Sequence, residues 1–508
     1  MRVYESTRIA IRISFLGFLL IAFGFLIQNE SVNIFYTFKN TFILFLAEGS
    51  IKIGSAIILN LPLIFMLNIV CKRANSSYPV CLAIVGYFAY LIVTTLFSSN
   101  ALASTAYTTN TGINSILNSS TGTKYPLETG LIGSFIVAYI TRFSFIRSRH
   151  RTSYSILGFL HKDSAGLIYN LVFCALAGLA MSYIWPFVFN YLQVLLTYIS
   201  KDLLDPLRMA LYGILDRILS MLSLNTIIRQ PFWYTALGGS LQTISGQSII
   251  GDVNIWNYVK NIDTSYVGAG RFVTAYYVIN MFVVPAIYIG IVSSISDKQE
   301  RRKYILPCIG GIIFSFVCGN PLPLELVLLF SAPLLLLFYL LCVGGIFYYL
   351  NLRGVYLGSS LTGNVMTTAM PGNFPDFIIN LRNVYYIEQL GKILLVGIVA
   401  FAICLLLTWT YYHFLAFDFS KTGKSKKVAL DMINAVGTYD NIESVGSGFM
   451  KVCFHLHDLE KVNIDLIQQL NIDRISETKD GIDIECGSSA YIISKTIKEL
   501  IKSNENKQ

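Results

Sequence analysis

The side chains best placed for chemistry in an apolar setting lie in one short polar stretch, residues 319–325. This stretch holds Asn320 and Glu325 together with a glycine and two prolines, and strongly apolar segments flank it on both sides. Proline and glycine interrupt helical hydrogen bonding, and hydrocarbon penalises the charge of a carboxylate. An ionisable residue beside such a helix break therefore predicts a ligand or ion site. A tight turn at a membrane surface is the alternative that the local pattern leaves open.

The composition predicts the kind of elements that position this stretch. Of the 508 residues, 54% are hydrophobic and only 13% are charged, and the mean hydropathy is +0.59. At ~20 residues for each full crossing, the apolar segments amount to roughly ten crossing or re-entrant elements. We therefore predict a polytopic α-helical membrane protein that is surrounded by lipid.

The distribution of charge and cysteine excludes several other classes. The formal net charge of +9 comes from short basic runs beside apolar segments, which is the pattern of cytoplasmic loops in membrane proteins. Most of the nine cysteines lie in or beside apolar segments, and none has the spacing of metal ligands. We predict no nucleic-acid partner, no bound metal and no cofactor.

Basic residues at both ends of the apolar region predict its orientation. Residues 1–12 are basic and lead into the apolar segment 13–27, which no small-residue cleavage site follows. We read that segment as the first transmembrane helix, with the amino terminus in the cytoplasm. The last span, residues 393–417, precedes a basic and flexible linker, so the remainder of the chain is also expected in the cytoplasm. The predicted organisation is a membrane domain at 1–417, the linker at 418–427 and a C-terminal domain at 428–508.

The C-terminal residues predict a small α/β domain. Residues 449–456 alternate between apolar and polar side chains, as a half-buried strand does. Residues 474–486 predict a β-hairpin that turns near Asp480 and Gly481. Helices are expected at residues 428–436, 463–470 and 488–502.

Four segments of the membrane part have a distinctive pattern. Residues 42–70 are apolar but interrupted by Asn60-Leu-Pro, and residues 98–129 are poor in charge and rich in turn formers, as in an external loop. Residues 201–222 mix charges with regularly spaced leucines, which predicts an amphipathic interfacial helix. The basic run at 142–162 favours a solvated cytoplasmic face over a binding patch.

Five motifs in one order resemble the glucose family of bacterial phosphotransferase-system enzyme II sugar permeases. These proteins have a membrane C domain followed by a soluble B domain, so the resemblance covers nearly the whole chain. The motifs are Asn60-Leu-Pro-Leu-Ile-Phe, Gln230-Pro-Phe-Trp with Gly238-Gly239, Gly251-Asp-Val-Asn, Gly268-Ala-Gly-Arg-Phe and the segment 319–333.

The resemblance implies a vectorial sugar phosphotransferase. In that family a phosphoryl group passes from a soluble A domain to a B-domain cysteine on an exposed loop, and then to a sugar at the helix break. A thiolate beside arginines suits the first transfer, because guanidinium groups neutralise phosphate oxygens. The implied setting is a homodimer in the bacterial inner membrane, with a sugar ligand and cytosolic phosphotransferase components as partners.

The B-domain motif of the family departs from its pattern in this sequence. Residues 441–453 align with that motif and place Gly448 at the position of the phosphocysteine. The first arginine of the motif is Lys451 and the second is Cys453. Glycine offers no nucleophile, so this chain is expected not to carry phosphate. Cys453 is an alternative acceptor, although it is expected inside a strand and away from the loop.

The C domain departs from the family as well. Leu322 stands at an acidic position of the helix-break motif, and Asn225-Thr226 replaces a pair of histidines, whereas a second glutamate remains as Glu325. We predict that Glu325, Asn320 and Asn225 line the ligand cavity, because amides donate and accept hydrogen bonds as sugar hydroxyls do. In the alternative, Glu325 has a structural ion pair with an arginine, for which Arg229 and Arg271 are the candidates.

Three functions remain open at this point. The first is a sugar permease that binds or translocates its sugar but no longer phosphorylates it. The second is a membrane sugar sensor or interaction protein whose inert B-like tail contacts a cytosolic partner. The third keeps full activity with a B domain supplied in trans. That third hypothesis explains Gly448 but not Leu322 or Asn225.

Overall fold

The computed structural model describes residues 2–28, 40–71, 77–97, 127–149, 162–243, 246–260, 268–359, 372–381, 383–415, 425–469, 475–478 and 480–505. Most of the predicted external loop at 98–129 lies outside the described residues. So do residues 150–161 of the basic run and residues 418–424 of the linker.

The helices of the first half are α1 (Arg2–Gln28), α2 (Thr41–Leu59), α3 (Leu61–Cys71), α4 (Tyr78–Phe97), α5 (Gly130–Arg149), α6 (Lys162–Ser200), α7 (Pro206–Met221), α8 (Asn225–Tyr234) and α9 (Asp252–Val259). Those that follow are α10 (Thr274–Val278), α11 (Val284–Ser294), α12 (Lys298–Cys318), α13 (Leu322–Ser331), α14 (Pro333–Leu352), α15 (Phe374–Asn380), α16 (Ile387–Thr410), α17 (Ser425–Ala435), α18 (Ile464–Gln469) and α19 (Ala490–Glu505). The strands are β1 (Ser240–Gln242), β2 (Ser248–Ile250), β3 (Ile442–Ser447), β4 (Lys451–Leu456), β5 (Ile475–Thr478) and β6 (Gly481–Glu485).

The helices have the lengths and compositions of membrane spans. Among the described residues, seven are long and apolar enough to cross a membrane, and three further apolar helices are shorter. The seven are Thr41–Leu59, Tyr78–Phe97, Gly130–Ser148, Ala165–Ser200, Thr274–Ser294, Pro333–Leu352 and Ile387–His413, and the three are Ile9–Ile21, Leu61–Cys71 and Leu322–Ser331. The prediction of a polytopic α-helical membrane protein is confirmed.

The chain divides into two compact units. The larger unit comprises Glu5–Tyr276 and Val343–Ile393, and the smaller comprises Met1–Tyr4, Tyr277–Cys342 and Leu394–Gln508. The helix break at 319–325 and the C-terminal sheet therefore both belong to the smaller unit.

The interruption at Asn60 that the sequence predicts is present in the larger unit. Asn60 separates α2 from α3, and its side-chain amide donates to the carbonyl of Ala56 over 2.7 Å. Pro186 lies inside the 39-residue helix α6, which continues through it.

Helix α7 differs from the amphipathic helix predicted at 201–222. It begins only at Pro206, because Asp205 caps it by accepting a hydrogen bond from the Leu207 amide. Asp216 and Arg217, expected on a polar outer face, are buried. The Asp216 carboxylate accepts hydrogen bonds from Arg217 and Arg229, so the helix turns its charges into an internal ion cluster.

The C-terminal domain contains an antiparallel sheet with strand order β3-β4-β6-β5. The predicted hairpin is present as β5 and β6, with Thr478 opposite Gly481. Helices α17, α18 and α19 pack against the sheet and contribute to one apolar core. Its fully buried members include Met432, Ile433, Val452, Ile467, Ile484 and Ile497. This small α/β domain confirms the predicted class for the end of the chain.

Two details of the sheet differ from the prediction. Strand β4 begins at Lys451 rather than at 449, because Met450 has a left-handed backbone with φ of 67°. The strand was predicted to be half-buried, yet Cys453 on its second face is only 3% exposed. Alternation of side chains predicts two faces but does not reveal that another element covers the second one. Strand β3 was not predicted.

The ion cluster of α7 generates a stability prediction. Replacing Asp216 by Asn leaves Arg217 and Arg229 buried without a counter-charge, and breaking a buried pair in this way costs about 3–5 kcal/mol. We expect Asp216→Asn to lower the free energy of unfolding by that order in a detergent unfolding series. The matched control is Glu48→Gln, since Glu48 forms an exposed pair with Lys52 and should change stability little. Equal effects of the two substitutions would contradict the assignment.

Candidate functional site

The break between α12 and α13 is built from a few specific hydrogen bonds. Helix α12 is capped at its carboxyl end by Gly319, whose left-handed φ of 67° favours glycine and whose amide donates to the Ser315 carbonyl over 2.9 Å. The next residue, Asn320, is 6% exposed. Its side-chain oxygen accepts the amide of Leu322 over 2.9 Å and thereby starts α13. The predicted helix break is present, and Asn320 helps to form it.

Asn280, which the sequence analysis did not select, connects this break to the preceding span. It lies in a π-helical turn, Ile279–Val283, and such turns are frequent at functional sites. Its side-chain amide donates to the carbonyl of Gly319 over 3.0 Å, and its own carbonyl accepts the Ser315 hydroxyl over 2.9 Å. An amide in the middle of an otherwise apolar segment was the available signal.

Glu325 is fully buried in the first turn of α13. Its Oε1 atom accepts the hydroxyl of Tyr339 over 2.6 Å, and Tyr339 on α14 is itself 2% exposed. Both arginines suggested as its structural partner lie in the larger unit and have other contacts there. Arg229 pairs with Asp216 at 2.7 Å, and Nε of Arg271 donates to the Gly268 carbonyl over 2.7 Å. Asn320 and Glu325 therefore share one short segment, with Asn280 and Tyr339 as neighbours that the sequence did not reveal.

Asn225 lies in the larger unit, at the first residue of α8. The residue after it, Thr226, donates its hydroxyl to Glu128 over 2.7 Å. Glu128 precedes α5 and stands outside the spans. Burial raises its pKa to about 7, although the Thr226 hydrogen bond acts in the opposite direction. That Asn225 lines one cavity with Glu325 stays a prediction.

Gly448 follows β3 in the loop that leads to β4. Its amide donates to the carbonyl of Lys451 over 2.8 Å, and the residue is buried rather than exposed. A Cβ atom at this position would lie 3.0 Å from Cγ of Lys451 and 3.4 Å from Sγ of Cys453. The loop is thus closed around the position where an exposed cysteine was implied.

Lys451 and Cys453, whose side chains lie nearest to Gly448, each have specific surroundings. The Nζ atom of Lys451 lies 2.6 Å from a carboxylate oxygen of Asp483 and 2.8 Å from one of Glu300. Burial raises the pKa of the Cys453 thiol well above its ordinary value, and Asp483 acts in the same direction. At neutral pH Cys453 is therefore a protonated thiol, which is a poor nucleophile.

Similarity to known proteins extends over nearly the whole chain. No protein-family model matches it. Over 513 aligned positions it is 24% identical to the PTS system glucose-specific EIICBA component of Staphylococcus saprophyticus. The alignment covers 96% of this chain and 71% of the relative. The similarity supports the resemblance to the glucose family of phosphotransferase-system enzyme II proteins. It also supports a multi-pass protein of the bacterial inner membrane that takes part in sugar transport.

The raised pKa of Glu128 generates a pH prediction. The pKa of Glu128 is raised from an ordinary value of 4.5 to about 7 in the folded protein. Between these two pH values the folded protein retains a proton that the unfolded chain releases. Stability therefore falls as pH rises through this window and stays lower above it. Glutamine can still accept the Thr226 hydrogen bond but does not titrate. We expect Glu128→Gln to raise the melting temperature more at pH 8 than at pH 5.

The control for this measurement is Glu443→Gln, since Glu443 is an exposed residue of β3. Its melting temperature relative to the wild type should not change with pH. If Glu128→Gln shows the same difference at pH 5 and pH 8, the raised pKa is wrong.

Proposed function

We propose that this chain is a glucose-family sugar permease that binds and translocates a sugar without phosphorylating it through its own B-like domain. The observation that carries the proposal is the loop at Gly448. The phosphocysteine position holds a residue without a nucleophile, and the side chains of Lys451 and Cys453 close around it. A phosphoryl group has no attachment atom there, and even a Cβ atom would lie 3.0 Å from Cγ of Lys451.

The helix break supports the sugar-binding part of the proposal. Non-helical backbone at membrane depth is tolerated where protein or water covers it, and the break here carries Asn320 and Glu325. Asn320 and Asn225 supply amide groups that match sugar hydroxyls, and Glu325 supplies a strong acceptor. Together these three residues form the ligand site in this proposal.

The same proposal includes the organisation expected from the resemblance. Residues 1–417 form the permease domain, 418–427 the linker and 428–508 the B-like domain, with both termini in the cytoplasm. The permease functions as a homodimer, and cytosolic phosphotransferase components remain possible partners of the tail. Glucose is the first ligand to test, since the relative is described as glucose-specific.

A second function is favoured by one specific observation. The B-like domain keeps a complete apolar core, although Gly448 cannot receive phosphate. A domain retained without its chemistry fits a sensor, in which the membrane domain binds the sugar and the tail reports it to a partner. Binding of a sugar without its passage across the membrane would distinguish the sensor from the permease.

The loop at Gly448 predicts that the chain cannot be labelled with phosphate. We expect no stable radiolabel after incubation with phosphoenolpyruvate, the general phosphotransferase enzymes and a compatible A domain. The glucose-specific relative is the positive control in the same reaction. Stable label on Cys453 that disappears in Cys453→Ser would overturn the proposal.

The proposed ligand site predicts a selective effect of Glu325→Gln. Glutamine can still accept the hydrogen bond of Tyr339, so we expect a folded and inserted protein. A hydrogen bond from a sugar hydroxyl to the charged carboxylate is worth about 1.5–3 kcal/mol. Its loss should weaken binding by roughly tenfold to a hundredfold. The measurement is a thermal-shift titration with glucose, other monosaccharides, disaccharides and their phosphates.

The matched control for this titration is Glu388→Gln, because Glu388 is exposed and pairs with Lys392 one turn away. It should bind the same sugars as the wild type. If Glu325→Gln binds normally, or if it fails to fold, Glu325 is not a ligand residue.

A further inference from the structure

The B-like domain contacts the turn between α11 and α12 through the end of strand β3. The carbonyl of Ser447 accepts the amides of Ser296 and Asp297 over 3.1 and 3.2 Å. In return the Ser447 amide donates to the hydroxyl of Ser296 over 2.8 Å, and the two hydroxyls lie 2.9 Å apart. Four reciprocal contacts between two short segments, 151 residues apart in sequence, define one orientation.

Two further side-chain contacts, an ion pair and a hydrogen bond, surround these hydrogen bonds. Lys451 reaches Glu300 over 2.8 Å, and Nε2 of His455 lies 3.0 Å from a carboxylate oxygen of Asp297. Glu300 is only 3% exposed, and it also pairs with Lys303 on its own helix at 2.6 Å. Partly buried pairs of this kind are screened less than surface pairs. The second face of β4, which was predicted to be exposed, is therefore covered by the amino-terminal end of α12.

A glycine in β3 makes the close approach possible. A Cβ atom at Gly446 would lie 2.6 Å from Cβ of Asp297 and 3.1 Å from its Cα. Asp297 is the N-cap residue of α12. Its Cα and Cβ atoms therefore cannot move aside as the end of a flexible side chain would. Gly446 has an ordinary strand conformation, so the space beside Asp297 is the reason that a larger residue does not fit.

Ring contacts hold the domain at further points. The rings of Tyr304 on α12 and Phe449 in the β3–β4 loop have centroids 5.7 Å apart. In the π-helical turn Tyr411–Leu415 that follows α16, the ring of His413 stacks on that of Trp409 and contacts that of Tyr491 in α19, with centroid distances of 4.4 and 4.3 Å. The domain thus contacts both α12 and the turn after α16.

The contacted helix leads directly to the proposed ligand site. Asp297 caps the first turn of α12 by accepting the Glu300 amide over 2.8 Å. The helix has 21 residues, which at 1.5 Å each gives a length of about 30 Å. Its other end is Gly319, beside Asn320. One continuous helix, which contains Pro307, therefore has the B-like domain at one end and the helix break at the other.

We infer that the β3–β4 face of the B-like domain is a permanent docking surface for the amino-terminal end of α12. The domain acts as a clamp on that helix rather than as a mobile carrier. Its partner is a segment of the same chain, recognised by backbone pairing at Ser296 and by the carboxylates of Asp297 and Glu300. The docking itself does not depend on the proposed function. Only its link to a ligand site rests on the proposed function, because that link takes the break at Gly319 as the ligand site.

Hydrogen–deuterium exchange of the purified full-length protein tests the clamp. In the wild type we expect slow exchange in the peptide that covers residues 294–300. Gly446→Ala places a methyl group against Asp297 and should speed exchange in that peptide by at least tenfold. The matched control is Ser444→Ala, in an exposed position of the same strand, which should leave the rate unchanged.

A second variant covers the case in which Gly446→Ala unfolds the tail. Glu300→Lys changes only the helix side and places a positive charge against Lys451, and it should speed exchange at 444–449 while the core strand β6 stays protected. Its control is Gln299→Lys on the exposed side of the same turn. Unchanged exchange at 444–449 in Glu300→Lys overturns the clamp.

The coupling to the ligand site is measured separately. If α12 couples the docking contact to the helix break, the exchange rate at residues 315–322 also rises in Glu300→Lys. A rate equal to that of the wild type overturns the coupling. No sugar is needed for any of these rates. A protein that binds no sugar would therefore refute the proposed function and leave the clamp intact.

Discussion

Burial of polar groups among apolar helices is the constraint on which the smaller unit depends. Glu325 has no access to solvent and is bonded to Tyr339, and the carbonyl that the break frees at Gly319 is bonded to Asn280. Each polar atom inside the apolar segment requires such a partner, because leaving one unpaired costs a large part of the stability of a protein. The break is consequently a specific arrangement, in which Asn280 of the π-helical turn and Tyr339 of α14 bond to the α12–α13 segment.

The same requirement explains the state of the C-terminal domain. Lys451 is buried enough to need counter-charges, and it finds them in Asp483 of its own sheet and Glu300 of α12. An arginine pair that waits for phosphate needs an open loop, whereas this loop is closed and its lysine is already neutralised. The inferred role of the domain is mechanical, and its apolar core supports the docking face.

Local signals predicted a large part of this arrangement. The prolines and glycine at 319–323 predicted the break, Asn60 predicted the division of α2 from α3, and Asp480-Gly481 predicted the hairpin. Contacts between distant segments were not predictable, since neither alternation nor propensity specifies what covers the second face of β4. Asp216 was wrongly placed on the solvent-exposed face of its helix for the same reason. Its partner Arg229 lies in another helix, and the pattern of an amphipathic helix does not predict that contact.

Counterflow in proteoliposomes tests the central claim most directly, because it separates translocation from phosphorylation. Vesicles with the full-length protein are loaded with an excess of an unlabelled sugar that stabilises it, and the labelled sugar is added outside without phosphoenolpyruvate. The account predicts transient accumulation of labelled sugar inside, recovered chemically unchanged. Accumulation no greater than in protein-free vesicles would contradict it. Recovery of sugar phosphate once phosphoenolpyruvate, the general enzymes and a compatible A domain are supplied would contradict it as well.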